Sequence, residues 1–142
     1  MEARVLLVDD EEAFLESMSE RMRLRGMDVT TASSAKEALE VIESDIFDAV
    51  ILDIQLPEMD GMAVLKKIKA KHPEAQIILL TGHASLEKGV EAMKIGASDY
   101  LEKPADMEAL SKKIKDAKTE KMLIVQKQQL DSVLDTIKKY GI

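Results

Sequence analysis

Three carboxylates, a threonine and a lysine carry the chemistry legible in this chain of 142 residues. Asp9 and Asp10 directly follow the apolar run Val5-Leu6-Leu7-Val8, and Asp53 directly follows Ala49-Val50-Ile51-Leu52. Thr81 and Gly82 come after Ile77-Ile78-Leu79-Leu80, and Lys103 comes just after Asp99-Tyr100-Leu101. Carboxylates held at short range disfavour one another's ionised form unless a cation offsets them. Hard oxygen ligands select Mg2+, with Mn2+ or Ca2+ as substitutes, and Mg2+ usually takes one or two carboxylates, waters and a phosphoryl oxygen. The Thr81 hydroxyl, the Gly82 N–H and the compact Lys103 ammonium are what such a phosphoryl group would need around it.

These side chains meet only if the runs preceding them lie in one sheet. Residues 5–8, 28–31, Ala49–Leu52, residues 77–80 and residues 99–101 read as short strands. Helical patterns separate them. The first carries Phe14, Leu15, Met18, Met22 and Leu24 and stops at Gly26; the second starts at Ser34, with Glu37 placed for a capping box. Pro57-Glu58-Met59-Asp60-Gly61 is turn chemistry, followed by a helix over 62–71 that ends at His72-Pro73. Leu86–Ile95 reads as a fourth helix, with Leu86, Val90, Met93 and then Ala97 at helical spacing and Gly96 closing it. A last helix starts near Ala105.

Strands alternating with helices predict an α/β fold with a parallel sheet covered on both faces, which suits continuous apolar strands. Five strands fit the flavodoxin-like (βα)5 three-layer sandwich in the order 2-1-3-4-5, with an extended C-terminal helix. Ligands of such sheets bind beyond the carboxyl ends of the strands, where the strand order reverses. That point lies between the first and third strands, so Asp9, Asp10 and Asp53 converge there. Singly, each residue has an ordinary reading: acids after strands cap helices, Thr81 ends a turn, Lys103 is a solvated charge. Jointly, those readings need five unrelated accidents on one edge.

Composition narrows the class. With 46% hydrophobic and 33% charged residues the chain can build a core, and it has no cysteine for disulfides, thiolate metal sites or thiol nucleophiles. No apolar run reaches the roughly 20 residues a membrane helix needs. Only four apolar residues, Val5 to Val8, follow the first four, which is too short for a signal peptide, so a cytoplasmic setting is expected. Residues 1–104 carry a net charge of −9 and residues 105–142 carry +2. The acidic body lacks the basic patch that nucleic-acid binding requires.

Taken together, Asp9-Asp10, Asp53 within residues 48–55, Pro57-Glu58-Met59-Asp60-Gly61, Leu80-Thr81-Gly82-His83-Ala84 and the stretch from Gly96 to Pro104 resemble the receiver domain of two-component response regulators. The likeness runs from about Arg4 to Thr119, and Leu80-Thr81-Gly82-His83-Ala84 is similar to receivers of NtrC-like transcriptional activators. The resemblance implies that Asp53 accepts a phosphoryl group from a histidine kinase or a histidine phosphotransfer protein. It further implies that Asp10 and Asp53 bind Mg2+ with help from Asp9 and the backbone carbonyl of Gln55. Thr81 and Gly82 would hold the attached phosphoryl group, Lys103 would pair with it, and Lys103-Pro104 matches the family's cis peptide. Tyr100 matches an aromatic that turns inward as Thr81 moves, altering the face formed by the fourth helix, fifth strand and fifth helix. Gln55 and His83 occupy the positions that tune phosphoryl lifetime.

Such a domain is a switch rather than an enzyme with a separate substrate. Two alternatives compete with it. A Mg2+-dependent phosphohydrolase of the haloacid dehalogenase type resembles Asp-x-Asp after its first strand, whereas here Asp53 follows the third strand and Gln55 stands two residues on. A receiver-like binding module without phosphorylation would not need the full acid–threonine–lysine set.

The expected division is a receiver over 1–119 and a helical extension or linker over 120–142. Met107, Leu110, Ile114 and Ala117 form one apolar stripe, Lys121 falls on its next position, and a second stripe in another phase follows at Leu130, Leu134 and Ile137, or at Val133 and Ile137. Three readings of the extension stand open: pairing with a second copy of the chain, docking back on the domain or on a partner, and a linker with little structure of its own.

Overall fold

The computed structural model describes residues 2–82 and 86–141. Its elements alternate: β1 (Arg4–Val8), α1 (Glu12–Leu24), β2 (Asp28–Ala32), α2 (Ala35–Ser44), β3 (Ala49–Leu52), α3 (Gly61–Lys71), β4 (Ile77–Thr81), α4 (Leu86–Ile95), β5 (Asp99–Glu102) and α5 (Met107–Tyr140). The five strands are parallel and ordered β2-β1-β3-β4-β5, as the alternation of elements predicts.

Side chains along a strand point alternately to opposite faces, and this parity divides the core in two. Leu6, Val8, Val50, Leu52, Ile77 and Leu79 pack with Ala38, Val64, Leu65, Ile68 and Ala92 from α2, α3 and α4. Val5, Leu7, Ala49, Ile51, Ile78 and Leu80 pack with Leu15, Met18, Met22, Met107, Leu110 and Ile114 from α1 and α5. Both faces of the central strands are covered, so β1, β3 and β4 read as nearly unbroken apolar runs.

Local chemistry sets the helix ends. The Ser34 hydroxyl accepts the Glu37 N–H at 3.1 Å, while the return arm of the expected capping box reaches Ser33, whose N–H donates to Glu37 Oε2 at 3.2 Å. Asp60 caps α3 by accepting from Met62 N–H, and Asp106 caps α5 by accepting from Ala109 N–H. Gly26 follows α1 at φ 85°, a left-handed conformation that favours glycine.

Two details depart from the sequence-based pattern. Leu24 is exposed rather than part of the α1 stripe, because it lies on the side of the last turn away from the sheet. In α4 only Ala92 is buried, while Leu86, Val90 and Met93 face solvent. The helical spacing there is real, but the apolar stripe points outward.

The extended C-terminal helix is present as expected: α5 continues as one helix to Tyr140. Met107, Leu110, Ile114 and Ala117 are buried, Lys121 is half-buried with its Nζ donating to Phe47 O at 2.6 Å, and residues 126–141 are exposed. Ile124 and Val125 are still half-buried, and beyond them the helix is exposed, where the apolar stripe runs in another phase. No helix among the described residues is long and apolar enough to cross a membrane.

Candidate functional site

Register brings the acids together. Val8 is level with Leu52 across the β1–β3 pairing, so the next residues, Asp9 and Asp53, stand side by side. Asp53 N–H donates to Val8 O at 3.0 Å and Asp9 N–H to Ala32 O at 3.1 Å, which extends the ladder one step on either side of β1. α1 covers one sheet face and α3 the other, so the loops after β1 and β3 splay apart and leave a crevice at the reversal of strand order. Asp9, Asp10 and Asp53 each place a carboxylate oxygen within 4.8 Å of the others. Asp9 and Asp53 are buried and Asp10 is exposed.

On the other side of Asp53, β4 and β5 deliver the remaining groups. Thr81, level with Glu102, ends β4 and is buried, and Lys103 N–H donates to Thr81 O at 2.7 Å. The Lys103–Pro104 peptide is cis. From there the Lys103 side chain reaches back across the strand ends. Its Nζ lies 2.5 Å from Asp9 Oδ2, 3.3 Å from Asp53 Oδ2 and 3.8 Å from Glu11 Oε1. Burial works to lower the Lys103 pKa, but hydrogen bonding and charge from Asp9 and Asp53 outweigh it, and the ammonium is held above its ordinary value.

The ordinary reading of the two N-terminal acids as helix caps is not met. The N-cap of α1 is Glu11, without a side-chain cap bond. Asp9 accepts Glu11 N–H through Oδ1 and gives its other oxygen to Lys103. Asp53 is divided in the same way: Oδ1 accepts Gln55 N–H at 3.0 Å and Oδ2 faces Lys103. The two buried acids therefore share one cation while the exposed Asp10 lies open beside them.

The chain matches the family model of the response regulator receiver domain over residues 5–115. It belongs to the response-regulator receiver family. The transcriptional regulatory protein ZraR of Escherichia coli (strain K12) is 41% identical to this receiver over 106 residues, which are 75% of this chain and 24% of that protein. A receiver domain structure from Clostridium thermocellum matches with a TM-score of 0.81 at 38% identity, covering 86% of this chain and 98% of that one. NtrX from Brucella abortus matches with a TM-score of 0.83 at 32% identity, covering 92% of this chain and 30% of that one. The chain spans about a quarter of the length of ZraR and of FleR from Pseudomonas aeruginosa. The haloacid dehalogenase alternative gains no support from these likenesses.

The receiver's other sequence-predicted residues are spread along the same rim. Gln55 is exposed just beyond Asp53, and Gly82 is exposed just beyond Thr81. Tyr100 is half-buried on β5, with its ring over Gly89 of α4, away from the acid cluster. His83 lies outside the described residues. Three residues near the site were not singled out from the sequence: Glu11, Phe14 and Gly61. Glu11 was visible as the third of four consecutive acids. Phe14 looked like one more apolar residue of α1, yet its ring centroid is 4.2 Å from Lys103 Nζ. Gly61 looked like a turn residue, and only the packing of α3 against the Asp53 loop reveals its part.

Proposed function

We propose that Asp53 is the phosphoacceptor of this receiver and takes its phosphoryl group from a phosphohistidine on a sensor histidine kinase or a histidine phosphotransfer protein. An Asp53 carboxylate oxygen bonds to phosphorus as the P–N bond breaks, and the electron pair leaves on the imidazole. The product is an acyl phosphate. Such transfers depend mainly on positioning and electrostatics, because charge is spread over three equatorial oxygens. The observation that carries the reading is the shared cation: one lysine from the far end of the sheet lies between two buried carboxylates from neighbouring strands.

Asp9, Asp10 and Asp53 suit a hard divalent ion, since they offer only carboxylate oxygen and one member is open to solvent. With the backbone carbonyl of Gln55 they would hold Mg2+, for which Mn2+ or Ca2+ could substitute. When bound, the ion supplies positive charge to the carboxylates and the incoming phosphoryl oxygens. Lys103 moves its ammonium from Asp53 to a phosphoryl oxygen, and the Thr81 hydroxyl and Gly82 N–H bond the remaining oxygens. Gln55 and His83, two residues after Asp53 and Thr81 respectively, tune how fast water removes the group.

Thr81 drawn toward the phosphoryl group frees space at the end of β4, and Tyr100 then moves inward and reshapes the α4-β5-α5 face. That face already presents Leu86, Val90, Met93 and Tyr100 around a groove of about 610 Å3. The domain acts as a switch on its own aspartate rather than as an enzyme that turns over a separate substrate, and the expected compartment is the cytoplasm. Residues 1–119 form the receiver unit. Residues 120–142 are the extension, in which α5 continues to Tyr140, and its exposed Leu130, Val133, Leu134 and Ile137 support pairing with a second copy of the chain.

The deciding experiment is incubation with Mg2+ and acetyl phosphate followed by intact mass. One added phosphoryl group is expected, absent without Mg2+ and absent in Asp53→Ala. Undiminished labelling in Asp53→Ala would overturn the assignment.

A further inference from the structure

We infer that Phe14 is a positioning residue for phosphoryl transfer, acting through Lys103; this rests on the reading of Asp53 as phosphoacceptor. Phe14 projects from the first turn of α1, half-buried against the core beneath that helix. Lys103 Nζ lies 4.2 Å from the centroid of its ring, close enough for attraction between the ammonium and the negative face of the aromatic. Asp9 and Asp53 take direct contacts from the same nitrogen, and Glu11 stands further off at 3.8 Å. The ammonium is therefore held by two carboxylates and one ring, and its side chain is only 15% exposed.

The ring offers something a further carboxylate would not. It attracts the cation without accepting a directed hydrogen bond, so it does not hold an N–H donor that the phosphoryl oxygen needs. Lysine is a flexible stem with a strongly hydrated head, and it loses considerable rotamer freedom when fixed. A flat apolar wall limits water on one side of that head and narrows the positions it samples. Lys103 can then pass from Asp53 Oδ2 to a phosphoryl oxygen while still against the ring. An aliphatic side chain of similar volume would fill the core and supply no such attraction.

The test measures the rate of Asp53 labelling by acetyl phosphate at saturating Mg2+ in full-length Phe14→Leu and Phe14→Tyr, each alone and with Lys103→Met. Phe14→Leu should slow labelling about three- to tenfold, and Phe14→Tyr, which keeps the ring, should stay within about twofold of the parent. With Lys103→Met in place, the Leu and Tyr variants should label at the same rate, because the cation they act through is gone. Equal slowing by Leu and Tyr in the parent background would overturn the inference, as would a Leu effect that persists undiminished beside Lys103→Met. Absence of labelling in the parent protein would instead remove the phosphoacceptor reading itself.

Discussion

Gly61 sits so close to the Asp53 loop that a Cβ on it would lie 2.4 Å from the Asp53 carbonyl oxygen and 2.5 Å from the Ile54 Cα. Its own N–H donates to Ile54 O at 2.6 Å, so the first residue of α3 is joined to the backbone that carries Asp53. No rotamer change relieves such a clash, because both obstacles are backbone atoms.

Gly61→Ala should therefore destabilise the fold by about 1–3 kcal/mol through overpacking, and it should also slow labelling of Asp53 by moving its carboxylate. Thermal unfolding and the acetyl phosphate assay measure the two effects. A variant with unchanged midpoint and rate would show that the α3 start yields easily.

Gly89 bears a similar relation to Tyr100, at lower cost. A Cβ there would meet Tyr100 Cδ1 at 3.1 Å, and a ring can shift where backbone cannot. Alanine in place of a mid-helix glycine ordinarily adds about 1 kcal/mol. Gly89→Ala should add less than this beside Tyr100 and recover the full amount in a Tyr100→Ala background. Denaturant unfolding of the four proteins checks this, and equal gains in both backgrounds would contradict it.

Lys121 predicts a pH effect. Burial lowers its pKa below the ordinary 10.5; the charges of Asp48 and Glu74 oppose the shift and that of Arg4 assists it. Between the lowered folded value and the unfolded one, the unfolded chain binds more protons, so the Lys121 contribution to stability rises with pH across that window. Thermal midpoints of the parent and Lys121→Met, compared from pH 7 toward pH 10.5, should change in the parent's favour. A difference independent of pH would mean that the ammonium is not disfavoured where α5 leaves the domain.

The exposed end of α5 should govern self-association. Leu130→Glu with Leu134→Glu places two charges on the stripe, which should shift a dimer toward monomer in sedimentation equilibrium without changing the acetyl phosphate rate. A parent protein that remains monomeric at high concentration would count against pairing through this helix.

The order of elements, the parallel sheet and the placing of Asp9, Asp10, Asp53, Thr81 and Lys103 at strand ends were all legible in the chain. Each follows from local pattern: apolar runs of strand length, helical spacing between them, and polar residues at the boundaries. Even the strand order was accessible, because few topologies accommodate five alternating units. What tertiary structure alone decided is which side chains touch. That Lys103 lies between Asp9 and Asp53 and against Phe14 depends on register and on a long side chain crossing three strand ends. That Leu86, Val90 and Met93 face outward depends on how α4 is rotated against the sheet, and helical spacing does not specify this. That Gly61 is needed depends on one helix start approaching one loop within van der Waals distance. Periodicity tells which residues share a face, whereas contact depends on distances set by packing the whole chain.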